Sequence, residues 1–437
     1  MLSVPPSDVR LFGHIVIDAA WAYATLDVVK ARDALRLVID ARPFLTGLYS
    51  AESGGVSHGA VPFHRVCITK LCPALATGSY DPFSAEYRPD PPLATFVDVV
   101  DPQLILKGKC APFSAQITVC GDATVVGICL WHGFADASVM HALMDAWAAE
   151  YTRLAGCAPV APTIKPSSGA RPPPPQPRAA PAEHRDEKAA LLGRDGGDGG
   201  APQLLDVYDE LGWRQMSAAA IAFVKFYMAL IAPFVMPPRI GPVAYSKAAV
   251  DAMVAAHNVS RTKALVLQLG KDNGFETVRF WVACNASGGG AAAEPPPFCN
   301  SVFGVFTSLE VGEMERKLWH VAEHKERYRA LWNDPAVVPT PFVGDLLNRK
   351  VGGVNSLLAF SHPHFGGAPT RYYPQHLNHD LLLVPDTSPD GGVLVYFGER
   401  LALERKLKAK APQLVACALL LLLLLVAAAT LGHNPFL

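Results

Sequence analysis

The chain has 437 residues, half of them hydrophobic, with 38 basic and 39 acidic residues and a formal net charge of −1. That length supports two domains or one large one with a sizeable core, and the charge balance excludes a broad electrostatic footprint for nucleic acid. The nine cysteines are scattered, with no CxxC pair, which argues against a disulfide framework or structural zinc and for a reducing compartment.

The first residues, MLSVPPSDVRLFG, carry no basic segment followed by an apolar core, so no secretory signal is expected. Asp27 to Ala41 has Val28, Val29, Leu35, Val38 and Ile39 at helical spacing. Ala115–Val119 and Thr124–Leu130 are rich in the β-branched residues that strands favour. Ser138 to Leu154 reads as an amphipathic helix through Val139, Leu143, Trp147 and Tyr151. Composition then breaks: residues 157–202 hold RPPPPQP, EHRDEK and GRDGGDGG, too little apolar surface to offset chain entropy, and are expected to be a disordered linker.

The second half, 203–411, opens on the apolar stretch Met216–Met236, expected as a core or surface-embedded helix. Ser260–Gly270, Thr277–Cys284 and Val302–Leu309 read as strands or strand-adjacent segments. Glu315–Trp332 reads as a charged amphipathic helix, and Leu381–Val384 with Val393–Phe397 as a hairpin around SPDGG. Leu414–Gly432 is 19 uncharged residues, roughly 28 Å as a helix, which matches a bilayer core. With Lys406, Lys408 and Lys410 before it, residues 412–437 are expected to be a C-terminal transmembrane anchor holding a cytosolic domain, with the endoplasmic reticulum favoured.

Chemistry concentrates in VVGICLWHGFADASVMHALMDAWAAEY, residues 125–151. A hydrophobic strand ends at Trp131, His132 follows on a short turn, and Asp136 precedes a helix. A histidine there exposes its imidazole to a cleft, and its ordinary pKa of about 6.5 suits proton abstraction at neutral pH. Asp136 is placed to cap the helix and orient the turn without touching a substrate. The spacing His-x-x-x-Asp alone is weak, and a lone histidine is more often structural. Other histidines carry less: His320 and His324 share a helix face crowded with Lys317, Glu323 and Lys325, and His362, His364, His376 and His379 are loop histidines that need no metal. No metal site is therefore expected.

With its flanking strand and the Trp147-Ala148 pair, the segment resembles the HxxxD motif of the BAHD acyltransferases, within the chloramphenicol acetyltransferase superfamily. PPPFCNSVFGVF, residues 295–306, is similar to the family's proline-rich approach to a Gly-Asn step, with Asn300 at the asparagine. VSRTKALV, residues 259–266, resembles the start of a helix in the second domain. HFGGAP, residues 364–369, resembles the family's Asp-Phe-Gly-Trp-Gly-x-Pro loop. Three positions depart from the pattern: Ala137 follows Asp136 instead of glycine, His364 replaces the loop's aspartate and Gly367 its tryptophan.

The resemblance implies an α/β fold of mixed sheets: two chloramphenicol-acetyltransferase-like domains, at 1–156 and 203–411, with a cleft between them. It implies acyl transfer from acyl-CoA, a co-substrate rather than a bound cofactor, to an alcohol or amine acceptor by a monomer. His132 is then the general base and Asp136 a structural, orienting residue. Asn300, Asn355 and Ser356 are the oxyanion or substrate candidates, and His364, Phe365, Gly366 and Gly367 form the loop equivalent. The expected membrane anchor, 414–432, and the apolar stretch at 216–236 suggest a lipophilic hydroxyl acceptor. Two alternatives stay open: an inactive acyltransferase-like scaffold that binds lipid or a protein, motivated by the eroded loop, and transfer to an amine.

Overall fold

The structure is a computed structural model that describes residues 1–5, 8–9, 12–72, 93–158, 214–215, 243–283, 302–323, 337–338, 351–374, 381–387 and 391–397. The first half is built on β1 (Val16–Ala24), α1 (Val28–Asp40), β2 (Cys67–Leu71), β3 (Phe113–Cys120), β4 (Ala123–Trp131) and α2 (Ala137–Ala155). The second half contributes β5 (Val243–Tyr245), α3 (Lys247–His257), α4 (Arg261–Asp272), β6 (Thr277–Ala283), β7 (Val302–Ser308) and α5 (Val311–Glu323). It continues with β8 (Val351–Ser356), β9 (Arg371–Tyr373), β10 (Leu381–Pro385) and β11 (Val393–Phe397).

A five-stranded sheet runs β9-β1-β4-β3-β2. Strands β3 and β4 form an antiparallel hairpin from Phe113↔Leu130 to Cys120↔Ala123. Gly121 takes φ +64° in the two-residue turn between them, a left-handed backbone that disfavours a side chain. Strand β3 alternates as the period-two rule requires. Phe113, Ala115 and Ile117 join the main apolar cluster, while Ser114, Gln116 and Thr118 face a strap. There Ser114 Oγ donates to the Asp98 carbonyl, and the Gln116 amide donates to the Thr95 carbonyl at 2.7 Å. Helices α1 and α2 cover the apolar face, tied by the Trp147 indole donating to the Ala31 carbonyl at 2.7 Å.

A six-stranded sheet runs β7-β6-β8-β10-β11-β5. One face packs against α3 and α4 through Leu381, Leu383, Val393 and Val395. On the other face Leu382, Val384 and Leu394 belong to the same apolar cluster as Trp21, Trp131 and Trp147 of the first sheet. The halves therefore share one core. They also share a sheet: β9 pairs antiparallel with β1, Arg371↔Ala22 through Tyr373↔Ala20.

Helices α1 and α2 lie within a residue or two of the expected positions, and β10 and β11 pair as the expected hairpin, Leu381↔Phe397. Residues 260–270 differ. Their composition suggested a strand or strand-adjacent segment, because a short apolar run such as Ala264–Leu267 has no diagnostic period, whereas the resemblance at 259–266 implied a helix start; they form α4, with Ser260 at the N-cap position. Helix α5 begins at Val311, ahead of the expected Glu315.

The expected C-terminal transmembrane helix is corrected. No helix among the described residues is long and apolar enough to cross a membrane. Even α2, with 19 residues, carries Asp145, Glu150 and Arg153. Residues 412–437, on which the expectation rested, lie outside the described residues, so the single-pass anchor, its membrane partner and the endoplasmic-reticulum placement are withdrawn with it. The stretch at 216–236, Asn300 and nearly all of the 157–202 linker also lie outside the described residues.

Candidate active site

His132 follows the last residue of β4, and its backbone is held where that strand meets the chain's start. Its N–H donates to the Ile15 carbonyl at 3.0 Å, and the Trp131 indole donates to the Gly13 carbonyl at 2.8 Å. The imidazole stacks on Phe12, with centroids 4.7 Å apart and planes 16° apart. His132 is only 6% exposed, so its imidazole is largely closed to bulk water. The turn closes by Phe134 N–H donating to the Trp131 carbonyl at 3.3 Å. Gly133 is required there for space: a Cβ would sit 2.4 Å from the Trp131 ring.

Asp136 is fully buried and serves as the N-cap of α2. Its Oδ1 accepts from Ser138 N–H at 2.9 Å and Val139 N–H at 3.1 Å, and from the Ser138 hydroxyl. Both backbone donors are among those a helix start leaves without internal partners. Asp136→Ala is expected to destabilise the fold by about 1–2 kcal/mol, with Asp136→Asn, which keeps the acceptor oxygen, losing clearly less. Urea midpoints of the two variants decide it. Equal losses would place the effect in the charge instead of the cap.

The loop at 364–367 docks on the far end of α2. Phe365 is 2% exposed and packs against Tyr23, Trp147 and Tyr151 at centroid distances of 5.1, 5.4 and 5.5 Å. Gly366 N–H donates to the Thr152 hydroxyl at 3.2 Å, and that hydroxyl donates to the Ala148 carbonyl at 2.8 Å, with the His364 carbonyl 3.2 Å away. Gly366 takes φ +69°, a conformation suited to glycine. The two departures from the family pattern fall where they cost little. Gly367 is exposed with open space around its Cα, and His364 contributes its backbone carbonyl.

The pair Asn355-Ser356 is split by the pleat. Ser356 sits opposite Leu383 and its hydroxyl pairs with that of Thr262 on α4 at 3.1 Å, on the helix side of the sheet. Asn355 sits opposite Leu382, whose side chain faces the first half, so Asn355 shares that face. The structure thus separates two residues that adjacency in sequence groups together.

A histidine pair, His141 and His362, lies where the halves meet. His362 accepts from the Trp21 indole at Nδ1 (3.3 Å) and donates from Nε2 to the Pro385 carbonyl (3.1 Å), which fixes the neutral tautomer. His141, 4% exposed on α2, stacks on Phe360 at 4.6 Å and meets the edge of Trp21 at 5.7 Å. Burial lowers the pKa of His141 to about 3, assisted by the nearby His362, and burial lowers that of His362 to about 4 against its bond to Pro385. An unfolded histidine takes a proton near pH ~6.5, whereas these two resist until well below it. The unfolded chain therefore binds more protons across that window, and stability falls as pH drops from about 6.5 toward 4. At pH 5 the loss is expected on the order of 2 kcal/mol for His141, less for the half-buried His362. Urea midpoints at pH 7.5 and 5.0 read it, and His141→Phe should flatten the difference. An unchanged slope in that variant would assign it elsewhere.

Phe12, Thr152, His141 and the Trp21–His362 bond escaped the sequence, since each acts through a partner more than a hundred residues away or across a masking stretch of ordinary apolar residues. Among the described residues, no group of three or more His, Cys, Asp or Glu side chains is placed to hold a metal ion. His324, His376 and His379 lie outside them.

The fold is similar to that of TRI101 from F. graminearum complexed with coenzyme A and T-2 mycotoxin, with a TM-score of 0.58 and 13% identity over 94% of this chain and 97% of that one. The same protein complexed with coenzyme A and deoxynivalenol gives 0.55 at 13% identity, with the same coverage. Vinorine synthase gives 0.50 at 13%, over 93% of this chain and 91% of that one. No family model and no curated protein matches the chain. At these identities the likeness establishes the fold alone: a mixed α/β, two-domain architecture.

Proposed function

We propose that the protein is an acyl-CoA-dependent acyltransferase in which His132 removes the proton from an acceptor as that acceptor attacks the thioester carbonyl. The observation that carries this reading is the placement of His132: on a turn at the end of a buried strand, stacked on Phe12 and nearly closed to bulk water. A base held in one orientation loses little reorganisation energy when the acceptor arrives. Asp136 acts as a positioning residue, since its capping oxygen is engaged by the first turn of α2 and fixes the segment that carries His132.

The developing oxyanion needs a donor from the second half. Asn355 suits that role through its face of β8, Ser356 is engaged by Thr262, and Asn300 remains a candidate outside the described residues. Similarity to structures complexed with coenzyme A supports the same donor here. We assign a hydroxyl acceptor first, with an amine as the competing class. The lipophilic acceptor expected from the sequence rested on the membrane span, which is withdrawn, and on the apolar stretch at 216–236, which lies outside the described residues.

Thiol release tests this reading. The full chain is supplied with acetyl-, aromatic and long-chain acyl-CoA against a panel of alcohols and amines. Release that depends on the acceptor is expected, and the productive pair names the substrate class. Folded protein that releases no more thiol with any acceptor than without would overturn the enzyme assignment.

A further inference from the structure

Strands β2 and β3 run parallel in the register Cys67↔Ala115 through Leu71↔Val119, so the next step sets Cys72 directly opposite Cys120. The ladder continues to that point, because Cys72 N–H donates to the Val119 carbonyl at 2.9 Å. Both side chains line the same small apolar cluster, with Ala20, Phe96 and Val125. Neighbouring strands lie about 4.8 Å apart, inside the roughly 4.4–6.8 Å between Cα atoms that a disulfide spans. Both cysteines are free, Cys120 buried and Cys72 partly exposed. Such opposition is not general in this sheet. Cys129 faces Ser114 and Asp18, and Cys67 faces Ala115.

We propose that Cys72 and Cys120 are a modification site, closing to a reversible disulfide when the protein meets a hydroperoxide. Cys72, the accessible member, attacks the peroxide and becomes a sulfenic acid, releasing water or an alcohol as the O–O bond breaks. The Cys120 sulfur then attacks the Cys72 sulfur. The S–O bond breaks, and the hydroxyl leaves with the Cys120 proton as a second water. Two thiols are oxidised by two electrons and one peroxide is reduced. Burial, with the neighbouring Cys72, pushes the Cys120 thiol up to about 12, so its thiolate is scarce and closure is the slow step, offset by the register that sets the two cysteines opposite each other. Cys72 directly follows β2, the outer strand of its sheet, so the bond fastens that strand's end to the interior strand β3.

The full chain is treated with hydrogen peroxide, its remaining thiols are alkylated under denaturing conditions, and it is digested without reduction. A Cys72–Cys120 linked peptide that disappears after dithiothreitol is expected. In Cys120→Ser, with circular dichroism as the fold control, Cys72 should instead stop at a sulfenic acid that dimedone captures. The wild-type map decides the matter if that variant fails to fold. Cys72 accumulating as sulfinic acid, linking to another cysteine, or staying reduced at doses that oxidise the exposed Cys157 would each overturn the proposal.

Discussion

His132→Ala should lower acceptor-dependent thiol release by about 10²–10⁴-fold, the range that general-base catalysis contributes. The loss should fall on kcat, because the base acts in the transition state and not in holding the ground-state substrates. The His132 backbone N–H donates to Ile15, just before β1, and the Trp131 side chain holds Gly13, so neither of these bonds depends on the imidazole. Phe12 loses a stacking partner, worth about 0.5–1.5 kcal/mol, too little to unfold an ordinary domain. The variant is therefore expected to fold, with a urea midpoint near that of the wild type. A kcat within threefold of wild type in such folded protein would remove His132 from the mechanism and leave the acyltransferase reading without its base.

Phe365→Ala should destabilise the protein by about 3–5 kcal/mol, the range for deleting a buried phenylalanine. Its ring sits between Tyr23 of β1 and both Trp147 and Tyr151 of α2, and it is contributed by the second half of the chain. Those neighbours are large and fixed. Trp147 is hydrogen-bonded to the Ala31 carbonyl and the Tyr23 hydroxyl donates to the Pro363 carbonyl at 2.9 Å, so the site collapses poorly and the cavity term stays large. The loss should appear in denaturant unfolding, with thiol release from the remaining folded fraction little changed. A midpoint shift below what about 1 kcal/mol produces would mean that the loop's backbone bonds to Thr152, and not the ring, dock it.

Much of this protein was legible without coordinates because it is written locally. The β-branched runs of β3 and β4, the helical spacing in α1 and α2, and the turn signal between β10 and β11 each depend on a few consecutive residues. The position of His132 at a strand end is of the same kind, as is the capping role of Asp136, since a helix start leaves N–H groups that an aspartate at that position satisfies. Where a local signal was ambiguous the reading erred. The apolar run at 264–267 fits a strand or a buried helix equally, and packing under the second sheet made it helix. The apolar residues 414–432 suggested a membrane span from hydropathy alone, and no described helix is of that kind.

What the sequence determined by itself is a chain of elements and one histidine on a turn. The tertiary structure decided which residues meet: β9 crossing from the second half to β1, Ser356 turning to Thr262 while Asn355 takes the opposite face, and His362 joining Trp21 to Pro385. It also set Cys72 against Cys120. These pairings span from tens to hundreds of residues, and register between distant strands is chosen by burying the whole apolar face at once. A one-residue slip would reverse every side chain, so no short stretch of sequence contains the answer.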